Sequence, residues 1–335
     1  LGGTTPHGFA SRPAADSPIA IGAPQPDVID GCVTEIDPPT PRGGSGSFLG
    51  GTHTVGSMTR DYKLFVPPGA QGDSRPLVVM LHGCTQDPDD FAAGTGMNER
   101  ALEQGVVVLY PAQSRKANPQ GCWNWFKHTH QQRHRGETGL IASMTQSVVE
   151  RLGIDPRRVY IAGLSAGGAM ATVVAACWPE RFAAVGVHSG LAPGVATTLP
   201  EAMAAMQGAA RPANPGTMTP PRPALALTVP TIVFHGDRDP TVHPSNAERI
   251  VAAVTAGRGA RAHVEHGTSA QGRRYTRRLL AGDGGRPDVE QWIVHGAGHA
   301  WSGGRRAGSY TDPSGPDASE AMLRFFLEHP RATPH

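Results

Sequence analysis

Gly163-Leu164-Ser165-Ala166-Gly167 is the one G-x-S-x-G run in this chain. A serine between two such glycines suits a sharp turn from a strand into a helix. There a strained backbone lifts the hydroxyl clear, and the glycines let strand and helix pack closely. In a chain with 43 glycines the pentapeptide alone is weak evidence, and the competing reading is a glycine-rich turn with an incidental serine. The flanks decide between them: "RRVYIAG" before it reads as a strand, and "AMATVVAACW" after it as a helix. The positive end of that helix would face the serine and any oxyanion formed there. The chemistry these residues suit is attack by Ser165 on a carbonyl carbon.

A serine hydroxyl is a poor nucleophile until a neighbouring base takes its proton. On an elbow of this kind the order along the chain is serine, acid, histidine. Fifteen histidines compete for the base, so position must choose. "VHGAGHAWSGG" follows the last predicted strand, and His299 sits there among small residues that let its ring swing over the sheet edge. His299 is the expected base; His295, still at the strand end, is expected to pack or to hydrogen-bond. Asp237 and Asp239 both follow the predicted strand "PTIVFHG". Asp239, deeper in the loop and followed by Pro240, is the expected acid, where a carboxylate fixes the histidine's tautomer and stabilises the imidazolium. Asp237 is the alternative, its other role being a turn cap. Two backbone amides must also face the developing negative charge, and Ala166 and Cys84 (in "LHGCTQD") are expected to supply them. His82 in the same loop is expected to hold it by a side-chain hydrogen bond.

The elements that must position these groups follow from pattern. Tyr62, Leu64 and Val66 alternate as in a half-buried strand. "PLVVMLHG" is a short apolar run ended by glycine, as in a strand buried on both faces. A helix over 88–104, the strand "VVVLYP", the helix "LIASMTQSVVERLG", the elbow, the strands "FAAVGVHSG", "PTIVFHG" and "DVEQWIVHG", and a closing helix "SEAMLRFFLEH" come after it. Strands alternating with helices predict a mainly parallel central sheet with helices on both faces, and the elbow with its serine, acid, histidine order makes the α/β-hydrolase fold the expectation. Residues 190–229, rich in Pro, Ala and Gly with one helical patch "PEAMAAMQGA", are expected to form a cap or rim over the site. Residues 1–55 read as an irregular Pro/Gly-rich extension, and 56–332 as the catalytic domain.

Composition excludes several classes. A formal net charge of +2 gives no reason to expect nucleic acid or an anionic membrane as partner. No run of about twenty apolar residues exists, so no span is expected. His128, His130 and His134 lack carboxylates at ligand spacing, so neither a metal nor a cofactor is expected. The chain opens on Leu1 without a basic-then-apolar leader, so some preceding segment is expected to have been removed. Cys32, Cys84, Cys122 and Cys177 are too few for a disulfide scaffold. They leave two cases open: one or two disulfides in a secreted or periplasmic protein, or four thiols in a cytoplasmic one.

With these motifs in place the chain resembles the polyhydroxybutyrate depolymerase-type esterases within the α/β hydrolases. The resemblance runs from about residue 56 to about 330. It rests on "LHGCTQDPDDFAAGTGMN", "CWNWF", "VYIAGLSAGGAMA", "AAVGVHSG", "HGDRDPTVH" and "GAGHAWSGG" with "GSYTDPSGPDAS". It implies Ser165, Asp239 and His299 as the triad and the Cys84 and Ala166 amides as the oxyanion hole. It also implies a Cys84–Cys122 disulfide and an ester substrate, poly(3-hydroxybutyrate)-type polyester or short-chain esters. Because no separate binding domain follows the final helix, amorphous or oligomeric polyester is expected rather than crystalline. A feruloyl or acetyl esterase of plant walls is the alternative. Trp123, Trp125 and Trp301 are expected to line the cleft, with core packing the competing role for Trp123 and Trp125.

Overall fold

The computed structural model describes residues 1–2, 32–33, 45–69, 74–209, 225–255, 262–281 and 286–332. Eleven strands form one sheet: β1 (Cys32–Val33), β2 (Ser47–Val55), β3 (Met58–Val66), β4 (Arg75–Leu81), β5 (Val107–Pro111), β6 (Ile154–Leu164), β7 (Ala184–His188), β8 (Thr231–Gly236), β9 (Ala262–Thr268), β10 (Arg274–Ala281) and β11 (Pro287–Val294). Their order is β1-β2-β3-β5-β4-β6-β7-β8-β11-β10-β9. The six strands from β5 to β11 pair parallel, and antiparallel strands close both edges. A short pair, β12 (Trp301–Ser302) and β13 (Thr311–Asp312), lies apart.

Helices cover both faces: α1 (Pro88–Thr95), α2 (Met97–Gln104), α3 (Gly136–Leu152), α4 (Ala166–Cys177), α5 (Leu199–Met206), α6 (Ser245–Thr255) and α7 (Ala318–Glu328). Alternation along each central strand feeds two cores. Leu77, Val79 and Leu81 of β4 face one with α3 and α4, while Val78 and Met80 face the other with α1 and α7. Six of the seven β4 residues are buried, each large side chain contributing about 1.5–3 kcal/mol. Such burial explains why the parallel strands read as unbroken apolar runs. This is the α/β-hydrolase fold expected from the elbow and the alternation of elements. No described helix is long and apolar enough to cross a membrane.

Four expectations need correction or completion. The single helix over 88–104 is two helices, because Gly96 takes a φ of 62° and its amide closes α1 on Ala92 O. The Arg305 side chain fills the space a Cβ at Gly96 would need. The boundary at residue 55 falls between β2 and β3, although the two strands pair along the whole length of β2 and belong to one sheet. Most of the 1–55 extension lies outside the described residues. The hairpin β9–β10 and helix α6 had no counterpart in the sequence reading. β9 is largely solvent-facing, and β10 is half-buried and carries Arg274, Arg277 and Arg278, so no hydrophobic alternation announces them. Of the expected cap over 190–229, residues 210–224 lie outside the described residues. The rest includes α5, which packs Ala202 and Ala205 into the core and accepts a hydrogen bond from Asn246 at Ala205 O (2.9 Å).

Candidate active site

Ser165 stands between β6 and α4 with φ 58° and ψ −120°, a conformation an L-residue adopts only when its surroundings impose it. Those surroundings are tight. A Cβ on Gly167 would lie 2.0 Å from Leu81 O, and one on Gly163 2.4 Å from the Gly167 carbonyl carbon. Both glycines of the pentapeptide are therefore required by close backbone approach. The following helix α4 is apolar on all sides and buried nearly throughout, which anchors the elbow rigidly. The Ser165 hydroxyl has no hydrogen-bond partner among the described residues.

The loops after β8 and β11 bring Asp239 and His299, the expected acid and base, to the same sheet edge. His299 Nδ1 lies 2.7 Å from Asp239 Oδ2. Asp239 Oδ1 accepts from the amides of Thr241 and Val242, both at 2.8 Å. Burial alone would raise the Asp239 pKa, but the His299 hydrogen bond and charge and the Val242 amide outweigh it and hold the carboxyl below its ordinary value. An ionised carboxylate only accepts, so His299 Nδ1 carries a proton, and in the neutral ring Nε2 is the acceptor. Nε2 has no partner among the described residues, as an available base requires.

A second Asp–His pair lies alongside, and its geometry separates the two. His295 Nδ1 contacts Asp237 Oδ2 at 2.9 Å, and its Nε2 is engaged by Thr276 Oγ1 at 2.8 Å. Both ring nitrogens of His295 are thus occupied. Asp237 Oδ1 also accepts from the Gly296 amide at 2.6 Å, the loop-fixing role weighed for it from sequence. This pair walls a cavity of about 610 Å³ that takes none of its lining from Asp239 or His299.

The loop after β4 is fixed from several directions. His82 Nε2 accepts from the Gln113 amide (3.1 Å), so Nδ1 holds the proton and donates to Gly83 O (2.8 Å). The amides of Gly83 and Thr85 donate to Gln86 Oε1 (2.9 Å) and Gln120 O (2.7 Å). The Cys84 amide between them has no partner among the described residues, nor has the Ala166 amide at the start of α4. Cys84 and Cys122 form a disulfide, as the resemblance implied. It closes a loop of separation 38, for which chain entropy predicts about 4 kcal/mol of stabilisation. Reduction is expected to lower the melting temperature accordingly, which thermal melts with and without dithiothreitol will check. The Cys177 thiol is free and buried, its pKa pushed up to about 11 by burial. The Cys32 side chain lies outside the described residues.

The three tryptophans expected to line the cleft are core residues instead. Trp123, Trp125 and Trp301 are 0%, 4% and 1% exposed. Trp301 stacks on His188, meets the edge of Phe91 and donates to Ser319 Oγ at 3.1 Å, while Trp123 packs beside His82. The aromatic ring that is exposed beside His299 belongs to Tyr310, at 45%. Sequence reading passed over it, although "GSYTDPSG" contained it. His128, His130 and His134 turn to Gln132, Glu137 and Trp178 respectively, three separate partners.

His188 was also missed. Its carbonyl accepts from the Ser165 amide and its Nε2 from the Ser302 amide, both at 2.9 Å, so it braces the elbow against the base loop. Burial lowers its pKa from the ordinary 6.5 to about 3, and burial lowers those of His82 and His235 too. The folded state holds these rings neutral while the unfolded chain protonates them below about 6.5. Their contribution is complete above that pH and is lost as pH falls. For His188 the loss is about 1.4 kcal/mol per pH unit down to about 3. The urea midpoint is therefore expected to fall steadily between pH 7 and 5, before carboxylates titrate. A flat profile there would contradict the assigned neutral rings.

The arrangement suits acyl transfer, and the comparisons with known proteins agree in kind. A family model described as "Esterase PHB depolymerase" matches residues 60–266, well over half of the chain. The chain belongs to the PHB depolymerase esterase family. Within this family, poly(3-hydroxyalkanoate) depolymerase C of Paucimonas lemoignei is 31% identical over 70% of this chain and 56% of its own length. Poly(3-hydroxybutyrate) depolymerase of Ralstonia pickettii is 33% identical over 39% of this chain and 28% of its own. Acetylxylan esterase A of Aspergillus ficuum is 28% identical over 51% and 58%. The chain thus spans less than two thirds of the length of each of these relatives. Among solved structures, an acetyl xylan esterase from Aspergillus awamori superposes with a TM-score of 0.57 at 20% identity, over 72% of this chain and 89% of that one. That likeness shows that this member of the PHB depolymerase esterase family shares the fold.

Proposed function

We propose that the chain is a serine carboxylic-ester hydrolase with Ser165 as nucleophile, His299 as base and Asp239 as acid. The observation that carries this reading is the His299–Asp239 bond, which leaves Nε2 free at the sheet edge that carries the strained Ser165. Ser165 Oγ bonds to the ester carbonyl carbon while Nε2 takes the hydroxyl proton. The carbonyl oxygen becomes an oxyanion facing the free amides of Cys84 and Ala166. Collapse expels the alcohol, which takes the proton back from Nε2, and leaves an acyl-serine. Water activated by the same nitrogen then releases the acid and restores Ser165.

Poly(3-hydroxybutyrate)-type polyester, amorphous or oligomeric, is the substrate class we favour, with short-chain esters also accepted. Family membership and the two depolymerase relatives support it. The acetylxylan esterase relatives favour a second reading, removal of acetyl or feruloyl groups from plant-wall polymers. A disulfide beside the site suits a secreted or periplasmic enzyme. The test is a panel of hydroxybutyrate oligomers, amorphous and crystalline polymer, p-nitrophenyl esters of increasing length, acetylated xylan and feruloyl esters. Turnover of the oligomers above the xylan and feruloyl substrates is expected, and the reverse order would replace the first reading by the second.

A further inference from the structure

Among the non-glycine residues that hold positive φ at this sheet edge are Ser165 at 58°, Thr85 at 68° and Tyr310 at 51°. Strain of this kind persists only where neighbours impose it, and it gathers at functional sites. Ser165 has its role in the reading above; Thr85 and Tyr310 have none, yet they bond to each other. Tyr310 OH lies 3.1 Å from Thr85 Oγ1, and Thr85 Oγ1 donates to Cys84 O at 2.5 Å. A carbonyl accepts and never donates, so the one proton of the Thr85 hydroxyl is committed to Cys84. The Tyr310 hydroxyl must then be the donor to Thr85. The result is a directed chain from Tyr310 through Thr85 to the Cys84 carbonyl.

The segment that carries Tyr310 is itself clamped to the loop after β4. Ser309 donates its amide to Asp90 Oδ1 (2.8 Å), and Gln86 Nε2 donates to Ser309 O (3.2 Å) and to Asp90 Oδ2 (2.9 Å). The Tyr310 ring also sits edge-on to His299, with centroids 6.5 Å apart. Cys84 is thus held by its side chain through the disulfide and by its carbonyl through Thr85, and only its N–H is left unpartnered.

Resting on the esterase reading, we propose that Tyr310 is a positioning residue for the oxyanion site, acting through Thr85 to fix the Cys84 backbone. Loss of a direct oxyanion donor lowers kcat about 10²–10³-fold, and loosening one through its support is expected to lower it about tenfold. The test compares Tyr310→Phe, Thr85→Val, Thr85→Ser and the Tyr310→Phe/Thr85→Val pair on p-nitrophenyl acetate. A trifluoromethyl ketone, whose serine adduct places an alkoxide in the oxyanion site, gives an independent readout. Tyr310→Phe should lower kcat about tenfold with KM nearly unchanged and weaken the ketone by the same factor. Thr85→Ser should recover the loss that Thr85→Val causes, and the double variant should be no worse than the worse single. A Tyr310→Phe variant with unaltered kcat, a loss confined to KM, or additive losses in the double variant would each overturn the proposal. Wild-type protein that neither hydrolyses p-nitrophenyl acetate nor is labelled at Ser165 by an organophosphonate would overturn the esterase reading instead.

Discussion

Ser165→Ala is expected to lower kcat for p-nitrophenyl ester cleavage by roughly 10⁴- to 10⁶-fold, the range seen when a nucleophile that works with a histidine base is deleted. The substitution removes one oxygen and leaves Cβ in place. The hydroxyl has no partner to lose among the described residues, and alanine meets the same positive φ of 58° that serine already tolerates. Stability should therefore stay within about 0.5 kcal/mol of the parent, so lost activity cannot be assigned to unfolding. Urea denaturation and turnover on the same preparations check both halves. Organophosphonate labelling followed by mass spectrometry should show one adduct on the parent and none on the variant. Retained turnover would remove Ser165 from the mechanism.

Asp239→Asn should reduce kcat by about 10⁴-fold, whereas Asp237→Asn should stay within a few-fold of the parent. An asparagine amide turned towards His299 donates where the carboxylate accepted. The imidazole then moves its proton to Nε2, the nitrogen that must accept from Ser165. Asp239 Oδ1, bonded to the Thr241 and Val242 amides, has an equivalent in the asparagine carbonyl oxygen, so the loop should keep its shape. Asp237 acts on a ring whose Nε2 already faces Thr276, so its loss touches the loop and not the base. The two variants separate the pairs cleanly in kcat. An inert Asp239→Asn with a crippled Asp237→Asn would exchange their roles.

Much of this site was legible because its requirements are local. The elbow needs glycines on both sides of Ser165, a strand before and a helix after, and all lie within one short stretch. The choice between Asp237 and Asp239, or His295 and His299, was also approachable, since the loop after each strand must supply the group. Side-chain partners then separated them: Thr276, which occupies His295, sits on a hairpin whose polar, arginine-rich strands gave no readable period.

Other features depend on contacts between distant parts of the chain. An apolar or aromatic residue near a catalytic loop reads the same whether it faces solvent or core. Trp301 is buried because His188, Phe91 and Ser319, far apart in sequence, close around it. Tyr310 is exposed because its backbone, in the left-handed region, accompanies a side chain held at Thr85, 225 positions away. His188 became a brace only when two neighbouring elements offered it amides. Sequence by itself determined the order of elements, the nucleophile elbow and the short set from which acid and base are drawn, because periodicity and turn chemistry act over a few residues. Tertiary structure alone decided which rings are buried, which nitrogen stays free and what holds the oxyanion loop, because hydrogen bonds and burial are settled where separate segments meet.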